Sequence, residues 1–260
     1  MPLGAGALAG SSLPIDRDQV ARALGFSRVA ENSIDAVSDR DFVLEFLAAG
    51  AITGVHLSRM AEEIVLWASK EFSFVSIDLS YCSGSSLMPQ KANPDVAELV
   101  RGKSGRLIGA LVSALTVMKG LPLAYNRDMQ EDKEPLLDAA LTLDGCLLIM
   151  AGLWRKISFR PEMLRRALDG DFSQATDLAE CLVARGVPFR EAHRAVGMLV
   201  ADCLSRKRRL EDLTLSELRA FSPRFGEDAR KALAHEHTVA RKRSRGSTSP
   251  AGVAKALAAW

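Results

Sequence analysis

The chain has 260 residues, of which 48% are hydrophobic and 25% are charged, and its formal net charge is +2. A chain of this size can bury one or two hydrophobic cores. Its positive and negative charges are nearly balanced, which does not favour nucleic acid or a membrane surface as a partner. Four cysteines lie far apart with no Cys-x-x-Cys spacing, which indicates reduced, buried thiols in a cytoplasmic protein. The first residues lack the basic segment and the apolar core of a signal peptide.

Three long segments carry apolar residues at three- and four-residue spacing, which predicts helices. The first helix is expected to be capped by Asp39 or Asp41 and to end near residue 70. Asn93 as N-cap and Pro94 as the first helical residue predict a second helix of roughly 26 residues, which Gly120 and Pro122 stop. The third helix, over about 134–156, is apolar on most sides. Its two interior aspartates argue against a membrane span and favour a buried helix.

The helices become shorter after about residue 160, where Gly and Pro residues interrupt the pattern. No alternating strand series is visible. We therefore expect an all-α protein with a long-helix bundle in residues 1–160 and a small C-terminal helical domain in residues 161–260. Three long apolar helices are too few to bury one another's faces, which predicts oligomerisation through the bundle. The shorter helices are predicted over residues 161–169, 175–185, 189–203, 216–220 and 227–234.

The run 84–94, Gly-Ser-Ser-Leu-Met-Pro-Gln-Lys-Ala-Asn-Pro, concentrates groups that can bind an anion. Lys91 and Asn93 are two residues apart and can converge on one carboxylate, at the N-terminus of the helix that follows. Backbone N–H groups and the lysine ammonium can also stabilise the alkoxide of Ser85, which would make this hydroxyl a base. The alternative is a Gly/Ser linker that ends in an N-capping Asn.

This run resembles the signature loop of the fumarase/aspartase superfamily, Gly-Ser-Ser-x-Met-Pro-x-Lys-x-Asn, at every fixed position. Its variable positions are similar to those of argininosuccinate lyase and its relative delta-crystallin. The segment 120–134, Gly-Leu-Pro-Leu-Ala-Tyr-Asn-Arg-Asp-Met-Gln-Glu-Asp-Lys-Glu, resembles the substrate-side segment of that family. Further blocks with the same resemblance lie at residues 2–10, 32–41, 175–179 and 186–193, so it extends over nearly the whole chain.

The resemblance implies the activity of an argininosuccinate lyase, which eliminates arginine from argininosuccinate to leave fumarate, in arginine biosynthesis and without a cofactor or metal. It implies that Ser85 is the catalytic base, that Lys91 is catalytic, and that Glu98 orients a histidine across the site. It also implies a homotetramer. The positions implied to bind substrate are Ser86, Asn93, Tyr125, Gln130 and Lys133.

By the same resemblance the chain begins mid-molecule, without the N-terminal domain of the family and without the histidine that Glu98 would orient. Each active site in this superfamily is assembled from several subunits, so we expect weak or no lyase activity from this chain alone. Two other interpretations stay open. One is a non-catalytic, crystallin-like structural or assembly protein with the same fold, and the other is a lyase that acts on a different succinyl compound.

Two features of the sequence bear on alternative functions. The segment with Tyr125, Gln130 and Lys133 favours argininosuccinate over another succinyl substrate. The basic runs at 206–209 and 241–243 lie near predicted helix ends, where cations suit the helix dipole, and no aromatic residues interleave them. We therefore do not expect nucleic-acid binding.

Overall fold

A computed structural model describes residues 1–84, 86–88 and 90–260 of the chain. Within these residues the chain forms twelve α-helices and four strands of two or three residues, so the predicted all-α class with a long-helix bundle is confirmed. The chain divides into two units, Met1–Met163 and Leu164–Trp260. The assignment of two independent domains stays a prediction.

Three long helices form the body of the first unit: α3 (Asp41–Ala68), α4 (Asp95–Met118) and α5 (Lys133–Trp154). Two shorter helices, α1 (Arg17–Ala23) and α2 (Ser33–Ser38), precede them. The helix α4 packs against both α3 and α5. The apolar periodicity that predicted the three long helices is therefore the pattern that lets them pack on one another.

Two clusters of buried side chains fill the bundle, one toward each end of α4. Val100, near the start of α4, shares a cluster with Ile64 and Leu153, which lie near the ends of α3 and α5. Ala114, near the end of α4, shares the other cluster with Val43 and Ala139, which lie near the starts of α3 and α5. The helix α4 therefore runs antiparallel to both of its neighbours.

Two short antiparallel ribbons accompany the bundle. The strand β1 (Val75–Ile77) pairs with β4 (Ile157–Phe159), and this ribbon joins the C-terminal ends of α3 and α5. The strand β2 (Ser83–Gly84) pairs with β3 (Ala92–Asn93) just before α4. Strands of two or three residues are too short for an alternating pattern to be visible in the sequence.

The start of α4 differs from the prediction. We expected Asn93 as N-cap and Pro94 as the first helical residue, but the helix begins at Asp95 and Pro94 occupies the cap position. The physical reason is the pairing of β2 with β3, which holds Asn93 in an extended strand. Pro94 follows with φ −78° and ψ 47°, and this ψ lies outside the helical region.

The outer face of α5 is apolar and exposed. Leu137, Leu141 and Leu148 are 62%, 76% and 67% exposed, and their spacing places them on one side of the helix. The helix that we predicted to be apolar on most sides and buried is thus buried on one side only within a single chain. Asp41–Ala68 and Arg127–Trp154 are long and apolar enough to cross a membrane by length and composition alone, a test that core helices of other proteins also pass.

The second unit is built around α7 (Ala175–Ala184) and α8 (Phe189–Ser205). Leu182, Leu199 and Phe225 are almost fully buried in its core. This core is distinct from the two clusters of the first unit, which explains why the short helices after residue 160 need no long bundle to support them. The other helices are α6 (Pro161–Arg166, at the boundary of the units), α9 (Leu215–Phe221), α10 (Glu227–Lys231), α11 (His235–Ala240) and α12 (Pro250–Leu257).

Candidate active site

The predicted anion-binding loop lies at the start of α4, where β2 and β3 pair. Lys91 is exposed, and its backbone N–H donates to the Met88 carbonyl over 3.0 Å. Asn93 is half-buried in β3, and Ser86 is exposed. Ser85 lies outside the described residues, so its role as a base stays a prediction.

Glu98 lies in the first turn of α4, where the helix dipole favours a negative charge. The residue is exposed, and its backbone N–H donates to the Pro94 carbonyl over 3.1 Å. Together with Ser86, Lys91 and Asn93 it forms what we call the loop group. A carboxylate and an ammonium in this group are both open to solvent at one end of the bundle.

Tyr125, Gln130 and Lys133 form a second set, the turn group. A 3-10 turn, Arg127–Asp132, carries Gln130, whose Nε2 donates a short hydrogen bond to the Tyr125 hydroxyl. Lys133 is the first residue of α5. All three residues of the turn group are exposed, so their polar groups are accessible to a ligand.

A buried carboxylate holds the lysine of the turn group. Asp132 is 6% exposed and accepts hydrogen bonds from Arg40 Nε over 2.5 Å and from Lys133 Nζ over 2.6 Å. Burial alone raises the pKa of the Asp132 carboxyl, but the bonds from Lys133 and Arg40 outweigh burial and bring this pKa below its ordinary value. Because Arg40 directly precedes α3, the three residues join the start of α3 to the start of α5.

Arg40 and Asp132 are not among the residues predicted from the sequence. Both lie in blocks that carry the family resemblance, 32–41 and 120–134, but a block match does not tell which of its polar residues meet in space. With Lys133 they line a cavity of about 700 Å³. This cavity makes the end of the bundle with the turn group a candidate for binding a small molecule.

The loop group and the turn group lie at opposite ends of the bundle. The loop with Lys91 precedes α4, whereas Lys133 begins the antiparallel helix that packs beside the far end of α4. The helix α4 has 24 residues, so it is about 36 Å long at 1.5 Å per residue. No side chain spans that length. One chain therefore does not bring Lys91 and Lys133 to the same ligand.

Nothing in the part of the chain that the structure describes groups three His, Cys, Asp or Glu side chains around a metal position. The thiols of Cys146, Cys181 and Cys203 are buried, and burial raises the pKa of each. Thiols of this kind stay protonated and are poor metal ligands. The expectation of a reaction without metal or cofactor stays a prediction.

Two family models match the chain. One, described as Lyase, matches residues 1–109, and the other, described as Argininosuccinate lyase C-terminal, matches residues 172–240. The argininosuccinate lyase of Symbiobacterium thermophilum is 56% identical over 257 residues, and that of Pelotomaculum thermopropionicum is 54% identical over 257 residues. Each comparison covers 99% of this chain and 56% of the relative, so the chain spans just over half the length of these relatives.

Solved structures share the fold. EDDS lyase in complex with formate matches with a TM-score of 0.85 at 30% identity, over 99% of this chain and 53% of that protein. The 3-carboxy-cis,cis-muconate lactonizing enzyme of Pseudomonas putida matches with 0.67 at 21% identity, over 93% and 51%. The class II fumarase of Schistosoma mansoni matches with 0.62 at 18% identity, over 90% and 52%. The last two likenesses concern the fold alone.

Proposed function

Since the chain belongs to the argininosuccinate lyase family of the fumarase/aspartase superfamily, we propose that it acts in the elimination of arginine from argininosuccinate, which leaves fumarate, as a step of arginine biosynthesis. The family assignment made from the loop is thereby confirmed. The reaction is a proposal because the chain spans only 56% of its relatives' length. The observation that supports it is the presence in one chain of both the loop group and the turn group.

In this proposal Ser85 takes a proton from the carbon next to a succinyl carboxylate, and the electron pair moves into that carboxylate to give a dianion. Lys91 and Asn93 hold the carboxylates and the negative charge that develops. The electron pair then forms the double bond of fumarate while the C–N bond breaks, and the released guanidine nitrogen takes up a proton. Hydrogen-bond donors that are in place before the reaction stabilise the dianion, and this stabilisation is the main source of the rate acceleration.

We assign the remaining polar groups of the substrate to the turn group. Lys133 offers an ammonium that Asp132 already holds, and Gln130 and Tyr125 orient each other through their hydrogen bond. Side chains that are ordered before binding lose little conformational entropy when the ligand arrives. Asp132 and Arg40 are thus positioning residues in this proposal, because they act through Lys133.

A complete site in this proposal takes the two groups from different chains. The length of α4, about 36 Å, separates the loop group from the turn group within one chain. A second chain that packs antiparallel on the bundle places its turn group beside the loop group of the first. The exposed leucines of α5 supply an apolar face for this packing. We propose the homotetramer that the family resemblance implies, located in the cytoplasm, where the free cysteines stay reduced.

The test follows fumarate absorbance after argininosuccinate is added to the purified chain, alone and mixed with an N-terminal segment of the Symbiobacterium thermophilum relative. We expect weak or no turnover by the chain alone and clear turnover after mixing. The substitutions Ser85→Ala and Lys91→Ala are expected to abolish the mixed activity. Lys70→Ala, which removes an exposed cation after α3 at the same end of the bundle, is the matched control and should leave it unchanged.

The other outcomes distinguish the alternatives. An assembled mixture without turnover of argininosuccinate or of other succinyl compounds would support the non-catalytic, crystallin-like interpretation. Turnover of a different succinyl compound in place of argininosuccinate would contradict the proposed substrate and leave the elimination chemistry standing.

A further inference from the structure

A cavity of about 790 Å³ lies in the second unit, between the end of α11 and the helix α12. Residues between 240 and 259 line it, among them part of the basic run 241–243. Three of its cations, Arg243, Arg245 and Lys255, are exposed, and the described residues offer them no carboxylate at ion-pair distance. This cavity belongs to the second unit, whereas the loop group and the turn group belong to the first.

Lys242, which also lines the cavity, shows the contrast. Its Nζ lies 2.9 Å from Asp177 Oδ1 and 3.3 Å from Glu180 Oε2. The hydrogen bond to Asp177 is the main reason why the pKa of this lysine is raised. Its charge is therefore compensated within the protein. The charges of the other three cations are not, so the cavity carries an excess of about three positive charges.

The backbone that carries these cations is held in place. Ser249 is 6% exposed and caps α12 by accepting from the Gly252 N–H over 3.2 Å, and its Oγ lies 3.0 Å from Ser247 Oγ. Ser247 Oγ in turn donates to the Lys242 carbonyl over 2.9 Å. A Cβ on Gly252 would lie 2.5 Å from the Ser247 carbonyl oxygen, so the loop packs directly on the first turn of α12. The cations are thus presented from a fixed frame, which lowers the entropic cost of binding an anion.

We propose that this cavity binds a small molecule that carries two or more phosphate groups. Three uncompensated cations match two or three negative charges, and the planar guanidinium groups of Arg243 and Arg245 suit phosphate oxygens. The lining also includes alanines of α12 such as Ala251 and Ala256, which can contact an apolar part of the ligand. No aromatic side chain is among the described residues that line the cavity, so these residues offer no stacking surface to the bases of a single-stranded nucleic acid.

The test is calorimetric titration of the full chain with inorganic pyrophosphate in buffered sodium chloride. We expect saturable binding, weakened about tenfold or more in the triple variant Arg243→Gln, Arg245→Gln, Lys255→Gln, because each lost contact to a charged group weakens binding. The matched control removes three exposed cations elsewhere in the second unit. It is the triple variant Arg190→Gln, Arg194→Gln, Arg224→Gln. Its affinity for pyrophosphate should stay within about twofold of that of wild type, because remote exposed charges are screened by salt.

Circular dichroism first establishes that both triple variants are folded. Equal weakening in the two variants would overturn the proposal, since it would show an effect of net charge alone. Absence of saturable binding by the wild-type chain would also overturn it. A single-stranded oligonucleotide that displaces pyrophosphate when its own concentration of phosphate groups is below that of pyrophosphate would overturn the proposal in favour of a nucleic-acid ligand. The readout is binding, so it does not depend on whether the chain has lyase activity.

Discussion

At the scale of single residues, Asp132 connects two cations that come from different parts of the chain. It is 6% exposed and accepts hydrogen bonds from both Arg40 and Lys133. A buried carboxylate with two cationic donors stays ionised, because deprotonation is what both contacts favour. Its position beside Lys133 makes it both a structural residue and, in the proposed function, the residue that positions a substrate contact.

The substitution Asp132→Asn should lower the free energy of unfolding by about 1–3 kcal/mol at pH 7, since the amide keeps an acceptor but leaves two cations without their countercharge. The folded-state pKa of Asp132 lies below the unfolded value of about 3.9, so its contribution is complete above that value and is lost as the pH falls through the folded pKa. Urea denaturation of wild type and variant at neutral and at acid pH measures the two free energies of unfolding. The difference between wild type and variant should shrink in acid.

The control for this prediction is Asp138→Asn. Asp138 also accepts from an arginine, Arg106, but both side chains are about half exposed. Exposed pairs of this kind contribute less than about 1 kcal/mol. Equal losses in the two variants at pH 7 would contradict the special role of Asp132.

At the scale of helices, α3 and α4 approach each other closely at Gly54. A Cβ on Gly54 would lie 2.6 Å from Leu107 Cδ1, and Leu107 is 1% exposed in the cluster toward the far end of α4. The leucine would have to shift within a packed core. Glycine in the middle of a long helix is unfavourable by itself, so its presence here reflects the close contact and not a helical preference.

The pair Gly54→Ala and Gly102→Ala separates these two effects. Gly102 lies within α4, and nothing lies within 4 Å of the Cβ position. Alanine should therefore stabilise the chain at Gly102 by up to about 1 kcal/mol through its higher helix propensity. At Gly54 overpacking should outweigh that gain and leave the variant less stable than Gly102→Ala by about 1–3 kcal/mol. Urea denaturation measures both, and equal stabilities would show that Leu107 moves aside without cost.

At the scale of the whole molecule, the exposed face of α5 is the surface through which we propose that the chain associates. The double substitution Leu141→Arg, Leu148→Arg places two charges on this face and should prevent the bundle from associating, because buried unpaired charges are costly. Light scattering coupled to size-exclusion chromatography should then find a smaller mass than for wild type. Leu257→Arg, at a position 71% exposed on α12, is the control and should keep the wild-type mass. An unchanged mass for the double variant would place the association surface elsewhere.

The distance between the loop group and the turn group allows a further prediction at this scale. Ser85→Ala and Lys133→Ala are each expected to be inactive in the fumarate assay with the N-terminal segment. If a site takes Ser85 from one chain and Lys133 from another, an equal mixture of the two variants after subunit exchange should regain about a quarter of wild-type activity, since about one site in four then holds both native residues. A mixture with no activity would show that one chain supplies both residues.

The helical class, the three long helices and the family could be predicted from local sequence, because apolar periodicity and the fixed positions of a loop are properties of neighbouring residues. Local sequence also allowed the prediction of the candidate residues Lys91, Glu98, Tyr125, Gln130 and Lys133 as a set. The folded chain shows in addition that this set is split between the two ends of α4, that Arg40 contacts Asp132, and that Asn93 belongs to a strand before the helix. Each of these depends on contacts between residues far apart in the chain, which local spacing does not record. The exposed face of α5 is another feature that local spacing does not reveal. The sequence pattern shows that the helix surface is apolar, and only the packing shows which part of that surface stays uncovered.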